Sequence, residues 1–193
     1  NQDAKSLYNA DVALVGYGNL GRSLAPLLRP FGVRLMAHDP WLSEGYLRAE
    51  GVEPVTLEKA LSNSDVLFLL AGVTSENEGF LDRLRLETIR TDASVILASR
   101  AEIVEFDDFL ELAADGKFRA AIDIFPEEPV PEDSPYRTVP NVLFSSHLAG
   151  GLNASYGRIR ETMLDDINQI LKGLSPLRMQ KANPKQAAKM RSR

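Results

Sequence analysis

Residues 11–39 read DVALVGYGNLGRSLAPLLRPFGVRLMAHD, and the fold turns on this stretch. Val12, Ala13, Leu14 and Val15 are apolar without alternation, the pattern of a strand buried on both faces. Gly16, Gly18 and Gly21 follow in the spacing G-x-G-x-x-G, and a helical pattern through Leu20, Leu24, Leu27 and Leu28 comes directly after. In that arrangement Gly16 permits a tight turn, Gly18 lets the backbone approach a pyrophosphate, and Gly21 lets helix and strand pack closely. Free N–H groups at the helix start make an anion site, and Gly16, Gly18, Asn19, Leu20 and Gly21 are candidate cofactor-binding residues. A second apolar run, residues 33–37, leads to Asp39, which lies 18 residues past Gly21. A carboxylate there meets the ribose hydroxyls of NAD and repels the extra phosphate of NADP. The plainer alternative is a β–turn–α joint with an acidic surface residue. The flanking strand, helix and acid together favour a dinucleotide site.

A chain of 193 residues, 44% hydrophobic and 25% charged, suits one sizeable globular domain or two very small ones. No run approaches the roughly 18 consecutive apolar residues of a membrane span, and no leader pattern opens the sequence. With no cysteine, disulfides, thiol catalysis and Cys-rich zinc sites are excluded. Two histidines, His38 and His147, argue against a structural zinc, so no metal is expected and the cytoplasm is the expected location. The formal charge of −5 is uneven: residues 178–193 hold six basic side chains and no acid, leaving −11 on the remainder. So short a run without aromatic residues reads as a solvated end, and neither nucleic acid nor membrane is expected as a partner.

Further along, strands are expected at residues 66–70, 94–98, 118–125 and 142–145. Helices are expected at 57–62, capped by Thr56, at 81–89, at 106–114, closed by Gly116, and at 153–172. Residues 41–50 carry a weak helical pattern and 51–55 a short extended piece. Residues 126–140, with five prolines, read as a surface loop without regular structure. Alternating buried strands and helices predict an α/β fold, a Rossmann-type doubly wound parallel sheet in three layers (α/β/α). Residues 1–10 lead in, 11–173 form the NAD-binding domain, and 174–193 are a basic tail that frays at Pro176 and Pro184.

Three more stretches occur in order: residues 95–105 (VILASRAEIVE), 120–131 (AAIDIFPEEPVP) and 141–150 (NVLFSSHLAG). With the glycine fingerprint, they resemble the nucleotide-binding domain of the D-isomer-specific 2-hydroxyacid dehydrogenases over about residues 11–171. That family includes phosphoglycerate, glyoxylate/hydroxypyruvate and D-lactate enzymes. The resemblance implies NAD as cofactor and a small 2-hydroxy or 2-oxo acid as substrate. It makes Arg100 the binder of the substrate carboxylate, His147 the acid/base and Glu128 the partner carboxylate. It also implies cofactor contacts from Ala71, Gly72, Thr74, Asn77, Ala98, Ser99, Arg100, His147 and Gly150, and from Asp123 beside the nicotinamide carboxamide.

The chemistry explains these residue types. A guanidinium fork holds a planar carboxylate, and an imidazole near neutral pKa gives a proton to the developing alkoxide. A carboxylate on the far ring nitrogen fixes the tautomer and favours the imidazolium. Taken singly, each residue has a plainer reading: Arg100 pairs with Glu102 or Glu105, Glu128 is solvated in its proline loop, and His147 is a surface histidine.

Where the family usually has Asn, Gly, Pro and Pro, this sequence has Leu97, Ala101, Gly72 and Ser146, and Leu70 stands where a His or similar residue is common. Family members carry a substrate domain made mainly from an N-terminal segment, largely absent here, so the chain alone is expected to bind cofactor yet turn over poorly. Members pair through their nucleotide-binding halves, which implies a homodimer, and residues 41–47, 81–86 and 126–136 offer apolar surface for one. The competing reading is a non-enzymatic NAD sensor, like a corepressor in the same family. The joint presence of Arg100, Glu128 and His147 favours the enzyme.

Overall fold

A computed structural model of the chain describes residues 5–179 and 181. The chain divides into two compact units, Asn1–Ser146 and His147–Arg193. The first is built on seven parallel strands: β1 (Asp11–Val15), β2 (Arg34–His38), β3 (Glu53–Pro54), β4 (Val66–Leu69), β5 (Ser94–Leu97), β6 (Arg119–Ile122) and β7 (Val142–Phe144). Their order in the sheet is β3-β2-β1-β4-β5-β6-β7. Between them run α1 (Asn19–Leu28), α2 (Glu44–Ala49), α3 (Leu57–Asn63), α4 (Arg83–Glu87) and α5 (Phe106–Ala114).

Side chains alternate across a strand, so each strand feeds two cores. Ala13, Val15, Met36, Leu67, Leu69, Val95 and Leu97 pack with residues of α3, α4 and α5. Val12, Leu14, Leu35 and Ala37 pack with residues of α1 and α2 on the other face. This is the expected Rossmann-like α/β fold.

Local chemistry sets the helix starts. The Thr56 hydroxyl accepts from Lys59 N at 3.2 Å, as its position before α3 predicts. Helix α4 begins at Arg83 rather than at Leu81, because Asp82 is its cap, accepting from Arg85 N at 2.9 Å. Leu81 is committed instead to a bridge with Val104. The proline loop is not wholly irregular either: Pro135–Thr138 is a 3-10 turn opened by Ser134, and Pro135 stands where no N–H is needed.

Helix α1 forms where the spacing predicts, but not every leucine of the pattern faces the core. Its buried residues are Gly21, Ala25 and Leu28, whereas Leu27 is 68% exposed and Leu20 also faces outward. The small residues let the helix approach closely: a Cβ on Gly21 would stand 2.9 Å from the Gly16 carbonyl oxygen. The apolar segments assigned to a partner surface change as well. Leu47, Leu81 and Leu86 are buried in the unit's own core, although Trp41 is exposed.

The second unit holds α6 (Asn153–Leu171). Gly173, at φ 75°, ends the helix; its N–H bonds to Ile170 O and that of Leu174 to Gln169 O, a Schellman closure. The chain does not fray directly after Pro176. Asp166 accepts from the backbone N–H groups of Leu177, Arg178 and Met179, at 2.8, 3.2 and 2.6 Å. Burial pushes its carboxyl upward, but these three donors and Arg178 outweigh that and hold it below the usual range. Pro184 lies outside the described residues. Among those described, no helix is long and apolar enough to cross a membrane.

Neighbouring leucines of α1 test this packing. Leu28→Ala should cost about 2–5 kcal/mol as a buried truncation. Leu27→Ala should change stability by about 0.5 kcal/mol or less as an exposed one. Denaturant midpoints separate the two, and equal losses would put the leucine stripe on the core after all.

Candidate functional site

The register of the sheet assembles the site. Val15 pairs with His38 and with Leu69, Leu69 with Leu97, Leu97 with Ile122, and Ile122 with Phe144. The next residues along the strands, Gly16, Asp39, Leu70, Ala98, Asp123 and Ser145, therefore stand in one row at the carboxyl edge. The strand order reverses between β1 and β4. Helix α1 packs on one face and α4 on the other, so the loops leaving β1 and β4 part and open a crevice. Ligands of such sheets bind at this switch point.

Gly16 has φ 96°, and a Cβ on it would lie 2.6 Å from Ala71 N. No side chain fits there. Gly18, by contrast, has no heavy atom within 4 Å of where a Cβ would stand. The first bond of α1 runs from Arg22 N to Gly18 O at 3.0 Å, so the amides of Asn19, Leu20 and Gly21 lie ahead of the helical ladder. No acid stands in the first turn to compete for them. This is a cradle for an anion.

Asp39 accepts from Tyr17 N through Oδ2 at 2.8 Å and from Trp41 N through Oδ1 at 2.9 Å. A carboxylate has about four acceptor positions, so two amide bonds leave capacity for ribose hydroxyls. The sequence does not announce that Asp39 also ties the glycine turn to β2.

After β4, the Asn77 side chain braces the loop. Its Oδ1 accepts from Thr74 N at 2.6 Å and from the Thr74 hydroxyl at 3.1 Å, and its Nδ2 donates to Gly72 O at 2.8 Å. Thr74 and Asn77 thus shape the loop that presents Ala71 and Gly72.

After β5 come Ala98, Ser99 and Arg100. The Ser99 hydroxyl is buried and has no hydrogen-bond partner among the described residues. Arg100 donates to Ser99 O at 2.7 Å, and neither Glu102 nor Glu105 pairs with it. Ala101 opens the 3-10 turn Ala101–Ile103 without a positive φ, so glycine is not required there. Leu97 is fully buried in the core.

After β6, Asp123 is largely buried and accepts from the Ser145 hydroxyl. Glu128 Oε1 accepts from Phe125 N at 2.9 Å, which folds the proline loop back on the strand end. Phe125 in turn stacks on Phe144, ring centres 5.8 Å apart.

The first unit thus gathers the glycine turn, Asp39, Ala71, Gly72, Thr74, Asn77, Ala98, Ser99, Arg100, Asp123 and Glu128 at the exits of its strands. His147, at φ 54°, and Gly150 belong to the second unit. Ser145 was missed by sequence reasoning; its only signal was the Ser-Ser-His turn after the last strand. Among the described residues no three acidic or histidine side chains group to hold a metal. The open cradle at Gly18, the acid at Asp39 and the orphaned Ser99 hydroxyl suit a dinucleotide.

Residues 1–149 match the family described as D-isomer specific 2-hydroxyacid dehydrogenase, NAD binding domain. The chain belongs to this family. It is 27% identical over 171 residues to a glyoxylate reductase of Korarchaeum cryptofilum, covering 88% of this chain and 52% of that protein. To a D-3-phosphoglycerate dehydrogenase of Bacillus subtilis it is 27% identical over 169 residues, covering 87% and 32%. A phosphoglycerate oxidoreductase from Rhizobium etli superposes with a TM-score of 0.85 at 36% identity, covering 93% of this chain and 55% of that one. The chain spans about half the length of these relatives, or less.

Two glycines separate folding from binding. Gly16→Ala should destabilise the unit, because its Cβ meets the Ala71 backbone. Gly18→Ala should leave stability within about 0.5 kcal/mol and weaken NAD binding about tenfold or more. Thermal melting and calorimetric titration read the two effects; unchanged NAD affinity in Gly18→Ala would remove the phosphate from this turn.

Proposed function

We propose that this chain holds the dinucleotide for interconversion of a D-2-hydroxy acid and its 2-oxo acid, with residues 11–173 as the cofactor-binding part. The observation that carries the reading is the row of strand-exit residues along the switch-point crevice, with the Gly18 cradle and Asp39 beside it. When bound, NAD supplies or accepts the hydride that changes the oxidation state of the substrate.

The chain's own residues bind, orient and move protons. The amides of residues 19–21 take the pyrophosphate, and Asp39 takes the adenosine ribose. Ala98, Ser99 and Asp123 serve the nicotinamide end, Thr74 and Asn77 brace the loop of Ala71 and Gly72, and the resemblance adds Gly150 as a cofactor contact. Arg100, which no acid engages among the described residues, offers its planar fork to the substrate carboxylate. His147 gives a proton to the 2-oxo oxygen in reduction and takes it back in oxidation. The family resemblance makes Glu128 its partner carboxylate. The family resemblance also supports a homodimer, and the cysteine-free composition fits the cytoplasm.

NADH should bind this chain more tightly than NADPH. Asp39→Asn, which keeps an acceptor for Tyr17 N, should narrow that preference. Calorimetry showing tighter NADPH binding to the unaltered chain would contradict the role of Asp39. For the chemistry, assayed with a substrate domain present, His147→Ala should lower NADH oxidation by glyoxylate, hydroxypyruvate or pyruvate about 10²–10⁴-fold. With that domain present, an unaltered protein silent with every 2-oxo acid would overturn the enzymatic reading.

A further inference from the structure

We propose that Ser145 is the positioning residue for the nicotinamide end of the cofactor, acting through Asp123. The inference rests on the dinucleotide reading above.

Both residues are fixed by the sheet. Asp123 N donates to Leu97 O at 3.2 Å and Ser145 N to Ile122 O at 2.9 Å, so each continues the ladder one step past its strand. Since Ile122 is opposite Phe144, Asp123 and Ser145 are the next neighbours across β6 and β7. Phe125 and Phe144, two residues after Asp123 and one before Ser145, stack their rings. There the Ser145 hydroxyl donates to Asp123 Oδ1.

Asp123 is only 8% exposed, and a buried carboxylate needs donors to stay charged. The outer torsion of an aspartate is broad, so its carboxylate plane is set by what holds the oxygens. A hydroxyl on Oδ1 restrains that plane. The carboxylate then faces an amide –NH2 group, such as the carboxamide of nicotinamide, in one orientation rather than several. Ordering before binding lowers the cost of binding. The orphaned Ser99 hydroxyl, on the neighbouring strand exit, marks the same end as made for a further polar group. Ser145 itself touches no reacting atom in this account, and a structural role alone would not make its effect depend on the nicotinamide.

The test compares NAD with ADP-ribose, which lacks nicotinamide, by calorimetry on the 193-residue chain. Ser145→Ala should weaken NAD binding about fivefold, the net worth of one hydrogen bond, and leave ADP-ribose affinity unchanged. Ser145→Thr, which keeps the hydroxyl, should restore NAD affinity. In an Asp123→Asn background, Ser145→Ala should add no comparable loss. Equal weakening of both ligands, or no change for NAD, would overturn the role of Ser145. Failure of the unaltered chain to bind either ligand would instead defeat the dinucleotide reading, and this inference with it.

Discussion

The first unit depends on how closely the chain leaving β1 passes the chain leaving β4. At Gly16 the two backbones run so near that a single Cβ would lie 2.6 Å from Ala71 N. That contact brings the two central strand exits together while their loops depart to opposite faces. It also aims the following turn so that α1 starts over the crevice. Gly21 and Ala25 then let α1 lie close to the sheet, with Gly21 against the Gly16 carbonyl. One small residue out of place would push the helix away and move the anion cradle with it.

Backbone amides do much of the polar work around this contact. Asp39 gathers two of them, and one belongs to Tyr17 inside the glycine turn. The same carboxylate that is proposed to select NAD thus holds the loop meant to carry its phosphates. On that proposal specificity and loop geometry are coupled, which is why replacing this acid without keeping an acceptor would confuse the two. In the second unit, Asp166 uses the same chemistry on residues 177–179. A short carboxylate facing successive N–H groups sets the course of the chain where no regular element does.

The strongest sequence signals came from chemistry confined to a few adjacent residues. The unbroken apolar run at residues 12–15, the glycine spacing, the Thr56 cap and the Gly116 stop each reappear in the structure. So do the ordered motifs around Arg100, Asp123 and Glu128, as strand exits on one edge. What was not legible depends on distant partners. Leucines 20 and 27 look like a core stripe by spacing, yet close packing selects Gly21 and Ala25 instead. Leu81 looks helical until Val104 claims it. The partner of Ser145 is 22 positions away in sequence and becomes visible only once β6 and β7 are in register. For the same reason the free hydroxyl of Ser99 and the brace of Asn77 across its loop could be named as candidates but not given their parts.

The central claim is that a dinucleotide lies across the switch point with its phosphates at the start of α1. Backbone amide shifts followed by NMR during titration with NAD test it most directly. The account predicts saturable changes centred on Gly18, Asn19, Leu20 and Gly21, extending to Ala71, Ser99 and Asp123. Changes confined to another surface, such as the cleft between α5 and residues 135–140, or no saturable change at all, would contradict it.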